Sequence, residues 1–268
     1  MSISDDDARA KLDTGVPHSA RLWNYWLGGK DNFAADREVA DQILAMVPEM
    51  VASARADRAY LGRAVRYLAG EVGVRQFLDI GTGVPTANNT HEVAQQIAPS
   101  SRIVYVDNDP LVLVHARALL TSHPQGQADY LDADLREPEK IIEGARRILD
   151  FGQPIALTLL GILNFIPDDA EAADLVARLV DAVPSGSYLA ISHPTTEING
   201  ETMVEALRLW NDGPAAKMVL RSAEQVKRLF GDLEMVEPGV VSCSQWRPDK
   251  GEESAPLVPH YGGVGRKA

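Results

Sequence analysis

The chain has 268 residues, 45% of them apolar and 24% charged, enough for one large α/β unit or two smaller ones with a sizeable core. Its formal charge of −12 argues against a broad polyanion-binding surface, and so against nucleic acid as a partner, because phosphate contacts need clustered Lys and Arg. One cysteine, Cys243, cannot form an internal disulfide, and the N-terminus carries Asp5-Asp6-Asp7 instead of a basic and apolar leader. No apolar run reaches the roughly 18 residues of a membrane span. The expected setting is the cytoplasm, without a membrane partner.

Residues 1–16 are polar and read as a mobile tail. An unusual block follows, from Ser19 through Trp23-Asn24-Tyr25-Trp26-Leu27-Gly28-Gly29-Lys30-Asp31-Asn32-Phe33. Leu22 with Trp26, and Trp23 with Leu27, stand four apart and share helix faces. Gly28 and Gly29 are plausible helix stops. Further helices are expected at 34–46 and 52–69. Together these make a helical region, 17–72, ahead of a core at 73–268. Aromatic residues at helical spacing ordinarily pack a core. Tyr25 lies off the Leu22 face, however, so the expectation is a helical lid with Tyr25, Lys30 and Asn32 near a site and Gly28-Gly29 as a hinge.

From Arg75 onward strand and helix patterns alternate, as in βαβ units around a parallel sheet. Strands are expected at 76–80, 102–107, 128–132, 155–160 and 188–192, with helices at 91–97, 110–120, 138–149 and 169–182. Pro110 and Pro138 each follow an acidic residue and suit the first helical position, where the missing N–H costs nothing. Beyond His193 the expected elements are helices 199–211 and 222–230, strands 233–241 and 261–266, and a loop over 247–259. The helix pair could shape a pocket or the face of a homodimer.

The chemistry starts at Asp79-Ile80-Gly81-Thr82-Gly83. Asp79 ends an apolar strand, where open α/β sheets place their ligands, and the glycines let backbone approach one closely. Asp107 ends the next strand and can accept hydrogen bonds from two ribose hydroxyls. A third acidic turn stands at Asp132-Ala133-Asp134. A dinucleotide fingerprint needs a third glycine three residues after Gly83, and Thr86 stands there. No Gly-Lys-Ser/Thr follows the strand, which excludes a P-loop. A nucleoside cofactor with a positively charged amino-acid head fits better.

This trio of acidic strand ends resembles the Rossmann-like S-adenosylmethionine-dependent methyltransferases. The stretches His18-Ser19-Ala20-Arg21, Leu27 through Phe33, Asp36-Arg37, Asn89 through Ala94, Tyr105 through Pro110 and Asp132 through Arg136 narrow the likeness. They resemble a bacterial family of S-adenosylmethionine-dependent methyltransferase-like proteins with largely uncharacterised substrates, matched over about residues 17–267. The resemblance implies that Gly81, Thr82 and Gly83 pass the methionine and ribose, with Asp79 near the amino group. Asp107 should hold the ribose, Asn108 should flank the adenine, and Asp134 and Leu135 should edge that ring. Leu160 and Gly161 should line the opening to the acceptor.

The resemblance also implies a three-layer α/β fold: a mostly parallel seven-stranded sheet, its last strand antiparallel, helices on both faces and an N-terminal helical lid. The expected activity is methyl transfer from S-adenosylmethionine to a small molecule at O, N or C. Rival readings are a catalytically silent protein that binds S-adenosylmethionine or S-adenosylhomocysteine, and an NAD(P)-dependent oxidoreductase. If a general base is used, His193 is the candidate, with His91 read as a helix-start residue. His115 and His123 fall far from the opening. No zinc spacing and no Gly-x-Ser-x-Gly elbow occurs.

Overall fold

The computed structural model describes residues 13–112 and 122–268. Helices α1 (Ser19–Trp26), α2 (Ala34–Met46) and α3 (Met50–Arg66) come first. A π-helical turn over Tyr67–Val72 then ends at Gly73, whose φ of 87° is the left-handed stop that suits glycine. The order continues β1 (Gln76–Ile80), α4 (Thr90–Ile97), β2 (Arg102–Asp107), β3 (Gln127–Asp132), α5 (Pro138–Ala145), β4 (Ala156–Leu160), α6 (Asp169–Asp181) and β5 (Tyr188–Pro194). It closes with α7 (Gly200–Asp212), α8 (Ala223–Arg228), β6 (Glu234–Met235), β7 (Val241–Ser242) and β8 (His260–Arg266). The expected helix 110–120 begins at Pro110 and is described as far as Val112, its residues 113–120 lying outside the described residues, as do residues 1–12 of the expected tail 1–16.

The strands pair in the order β3-β2-β1-β4-β5-β8-β6, with β7 also on β8. The first five run parallel, β8 is antiparallel to β5, and β6 and β7 are antiparallel to β8. Among the described residues the sheet therefore has eight strands where seven were expected. The difference comes from the expected strand 233–241, which is two short pieces. Pro238 cannot donate to a ladder, and Gly239 has φ 86°, so the chain leaves the sheet between them.

Alternation along the strands divides the core in two. Leu78, Ile80, Val104, Val106, Leu157 and Leu159 pack under α5 and α6, while Phe77, Ile103, Tyr105 and Ala156 pack under α3 and α4. Asp79 falls by the same parity on the second face, toward α4. A third cluster joins Leu22, Trp26, Ile43 and Met50 to Met203 and Trp210, so α7 packs with the N-terminal helices. Tight N-terminal signals hold these elements: Asp168 accepts from Glu171 N to start α6, and Asn89 N donates to Glu92 to start α4.

Candidate functional site

Strand order reverses between β1 and β4, and a cleft opens there beyond the carboxyl ends of the strands, as open α/β sheets require. The turn after β1 builds its floor. Gly81 (φ 77°) donates to Val106 O at 2.8 Å, and Gly83 (φ 66°) donates to Asp107 Oδ2 at 2.9 Å. A Cβ on Gly81 would stand 2.7 Å from the Ile162 side chain, so only glycine lets the turn pass this close to the loop after β4. Asp107 also accepts from Asp109 N through Oδ1 at 2.9 Å, and so ties the glycine turn to the end of β2.

Asp79 is 4% exposed and accepts hydrogen bonds from Thr90 Oγ1 at 2.6 Å and Thr158 Oγ1 at 2.7 Å. No basic side chain among the described residues forms an ion pair with it. Burial pushes the pKa of both Asp79 and Asp107 up, against the two threonine hydroxyls and the Arg58 charge at Asp79 and the two backbone N–H groups at Asp107. Farther along the cleft Asn108 Nδ2 donates to Asp134 Oδ2 at 2.8 Å, with Leu135 buried beside them. Thr82, Leu160 and Gly161 complete the walls, and a Cβ on Gly161 (φ 61°) would meet nothing within 4 Å.

Helix α1 forms the remaining side through Ser19, Ala20, Trp23 and Asn24. Arg21 anchors it, donating from Nε to Asp109 Oδ2 at 3.2 Å. Asp36 receives the backbone N–H groups of His18 at 2.9 Å and Phe33 at 2.8 Å. Asn24 Oδ1 accepts from Asp31 N at 3.0 Å and from Asn32 Nδ2 at 2.9 Å, and a Cβ on Gly29 would collide with the same amide. The Leu27-to-Phe33 segment thus folds around Asn24, a residue with no separate signal in the sequence.

Not every expected residue reaches the cleft. Tyr25 donates to Asp41 Oδ1 at 2.9 Å on α2, Lys30 is exposed, and Asn32 stands one layer behind, holding Asn24. His193 does not line the cleft. It is fully buried, with Nδ1 donating to Pro194 O at 2.8 Å and Nε2 accepting from Arg221 Nη1 at 2.9 Å. Burial and that guanidinium lower its pKa to about 3, so the ring is neutral. His91 opens α4 against the Tyr105 hydroxyl at 2.7 Å, and His115 lies outside the described residues. Arg58, which no motif marked, lines the cleft and donates to Ala87 O and Asn89 Oδ1, fixing the loop after the glycine turn.

Solved structures with this architecture exist. A DUF574 family protein from Streptomyces avermitilis shares 42% identity over 96% of this chain and 99% of its own, with a TM-score of 0.92. A Thermobifida fusca protein, classed by its name among methyltransferases, shares 41% identity over 95% and 96% of the two chains, with a TM-score of 0.87. Human N-acetylserotonin methyltransferase in complex with its cofactor, 14% identical over 98% of this chain and 65% of its own, has a TM-score of 0.51 and shares the fold. No curated protein matches the chain. The family model described as S-adenosyl methyltransferase matches residues 5–268. The chain therefore belongs to the S-adenosyl methyltransferase family, whose cofactor is S-adenosylmethionine.

Proposed function

We propose that the cleft binds S-adenosylmethionine in one orientation and passes its methyl group to a small molecule that arrives beside Gly161. In this reading Asp79 faces the methionine ammonium, Gly81, Thr82 and Gly83 pass the methionine and ribose, and Asp107 accepts from the ribose hydroxyls. Asn108, Asp134 and Leu135 hold the adenine. Residues 17–72 act as a lid region over the core at 73–268, with Trp23 and Asn24 as the lid residues at the site. When bound, the cofactor supplies a methyl group already activated by its sulfonium. The protein then has to hold the acceptor atom close and in line, and to exclude water.

The observation that carries this reading is the meeting of two buried carboxylates with a glycine turn at one strand-order reversal. That arrangement fits a ligand that is cationic at one end and bears a diol in its middle. Cytoplasmic location belongs to the same proposal, with Cys243 buried and free. Co-crystallisation with S-adenosylhomocysteine tests it: the ribose hydroxyls should lie within hydrogen-bond reach of Asp107. A ribose bound elsewhere would overturn the orientation.

A further inference from the structure

A second cavity begins where the cofactor cleft ends. Trp23, Gly161, Phe165 and Trp210 line both, and the second space runs on between α1, α7 and the segment after β5. Its walls are apolar and aromatic. Trp23 and Trp26 meet edge to face at 5.7 Å, Phe165 and Trp210 lie 6.3 Å apart, and Met203 and Met218 fill the far side.

Apart from Ser19, which lines both spaces, two polar side chains interrupt this lining, Asn164 and His260, and neither is used by the cofactor reading. Asn164 is 3% exposed, and no group among the described residues bonds its side-chain amide, whose Oδ1 is buried without a partner. His260, at the start of β8, is 2% exposed, and its ring stands edge-on to Trp23 at 5.6 Å. Its Nε2 is buried and faces Asp57 Oδ1 at 3.7 Å, too long for a hydrogen bond, so that nitrogen has no hydrogen-bond partner among the described residues. Asp57 itself lines the cofactor cleft, so this pair spans the wall between the two spaces. Buried polar groups nearly always have partners, so two unpaired ones on the wall of one cavity call for a reason.

We infer that this cavity is the acceptor site, that it takes a flat aromatic compound bearing a hydroxyl group, and that His260, backed by Asp57, is the base that removes the hydroxyl proton. The inference rests on the cofactor reading above. Ring edges and thioethers favour a flat aromatic body. The Asn164 amide offers a partner to a second polar substituent. Burial keeps His260 neutral, with its lone pair available, and Asp57 steadies the imidazolium once it forms. Such pairs are often long before substrate binds and tighten in the complex. In the step itself the acceptor oxygen bonds to the methyl carbon as that carbon leaves sulfur, which keeps the electron pair and becomes a neutral thioether. The hydroxyl proton passes to Nδ1 of His260 and from there to water.

The test uses the full chain with 2-naphthol and 2-naphthalenethiol. Calorimetry of the protein saturated with S-adenosylhomocysteine should show 2-naphthol binding that Ala206→Phe, which fills the cavity, abolishes without weakening S-adenosylhomocysteine. Turnover should yield 2-methoxynaphthalene. His260→Gln should lower that rate by about 100-fold or more, the usual contribution of a general base. The same variant should slow methylation of the thiol less than about three-fold at about pH 8.5, where an aryl thiol ionises unaided. Asp57→Asn should give the same split in weaker form, and serves if His260→Gln does not fold. Equal losses on both acceptors would make His260 structural. Failure of 2-naphthol to bind or react, or binding that survives Ala206→Phe, would overturn the acceptor site while leaving the cofactor cleft intact. Failure of S-adenosylhomocysteine itself would fall on the earlier reading instead.

Discussion

The two spaces that meet at Gly161 are built on opposite plans. The proposed cofactor cleft is made of backbone turns at the ends of neighbouring strands, with Gly81 and Gly83 held to β2 by Val106 O and Asp107. The aromatic cavity is made of side chains gathered from α1, the loop after β4, α7 and β8. Turns at strand ends are fixed by the sheet and tolerate little change. A cavity walled by side chains can be resurfaced one residue at a time without disturbing the sheet. One scaffold can thus keep its cofactor and vary its acceptor.

Substitutions that separate the two plans sharpen this contrast. Gly81→Val should be the most damaging, since it combines a left-handed φ with a Cβ 2.7 Å from Ile162. The two effects together cost about 2–5 kcal/mol. A lower melting temperature and loss of S-adenosylhomocysteine binding by calorimetry are expected. A stable Gly81→Val protein that still binds would break the idea of a rigid turn.

Arg221→Met attacks the other plan. Arg221 is fully buried, donates to Leu163 O at 2.9 Å and Ile166 O at 2.8 Å, and pairs with Asp169 at 2.8 Å and His193. It holds the loop after β4 to the end of β5, next to Leu220, Asn164 and Pro194 of the aromatic cavity. Its loss should cost about 2–4 kcal/mol in urea unfolding, because carbonyls and a histidine nitrogen lose their donor. Asp107→Ala, within the cofactor cleft, should weaken S-adenosylmethionine by about 1–3 kcal/mol, with calorimetry as the check.

His193 makes stability depend on pH. Its pKa is about 3 in the folded chain against 6.5 ordinarily, so the unfolded chain takes up the proton first. The contribution is complete above pH 6.5 and is lost as pH falls toward about 3, at up to about 1.4 kcal/mol per unit. His91 and His260, whose pKa values burial also lowers, act in the same direction. Urea midpoints that stay level between neutral and mildly acid pH would contradict this. Smallest of all, Lys30→Ala and Tyr25→Phe should change cofactor affinity by less than about 0.5 kcal/mol, because both side chains lie off the cleft.

What could be read from the sequence follows the same division. Asp79, the glycine turn, Asp107 and the Asp134 turn were legible because strand ends and turns leave local patterns, whereas Asn108 was marked only by the family resemblance. Their meeting in one cleft follows from parallel order alone. Trp23 was legible as part of an aromatic block, yet Tyr25 and Lys30 beside it turn away, since helix rotation and the fold of residues 27–33 around Asn24 decide which side chains face inward. Arg58, Asp57, Asn164 and His260 left no local trace. Each gains its place only when segments far apart in the chain pack together.

The most direct measurement is calorimetric titration of the purified chain with S-adenosylhomocysteine and with NAD. The account predicts saturable, single-site binding of S-adenosylhomocysteine that Asp107→Ala weakens, and no binding of NAD. Absence of S-adenosylhomocysteine binding, or binding of NAD in its place, would contradict it.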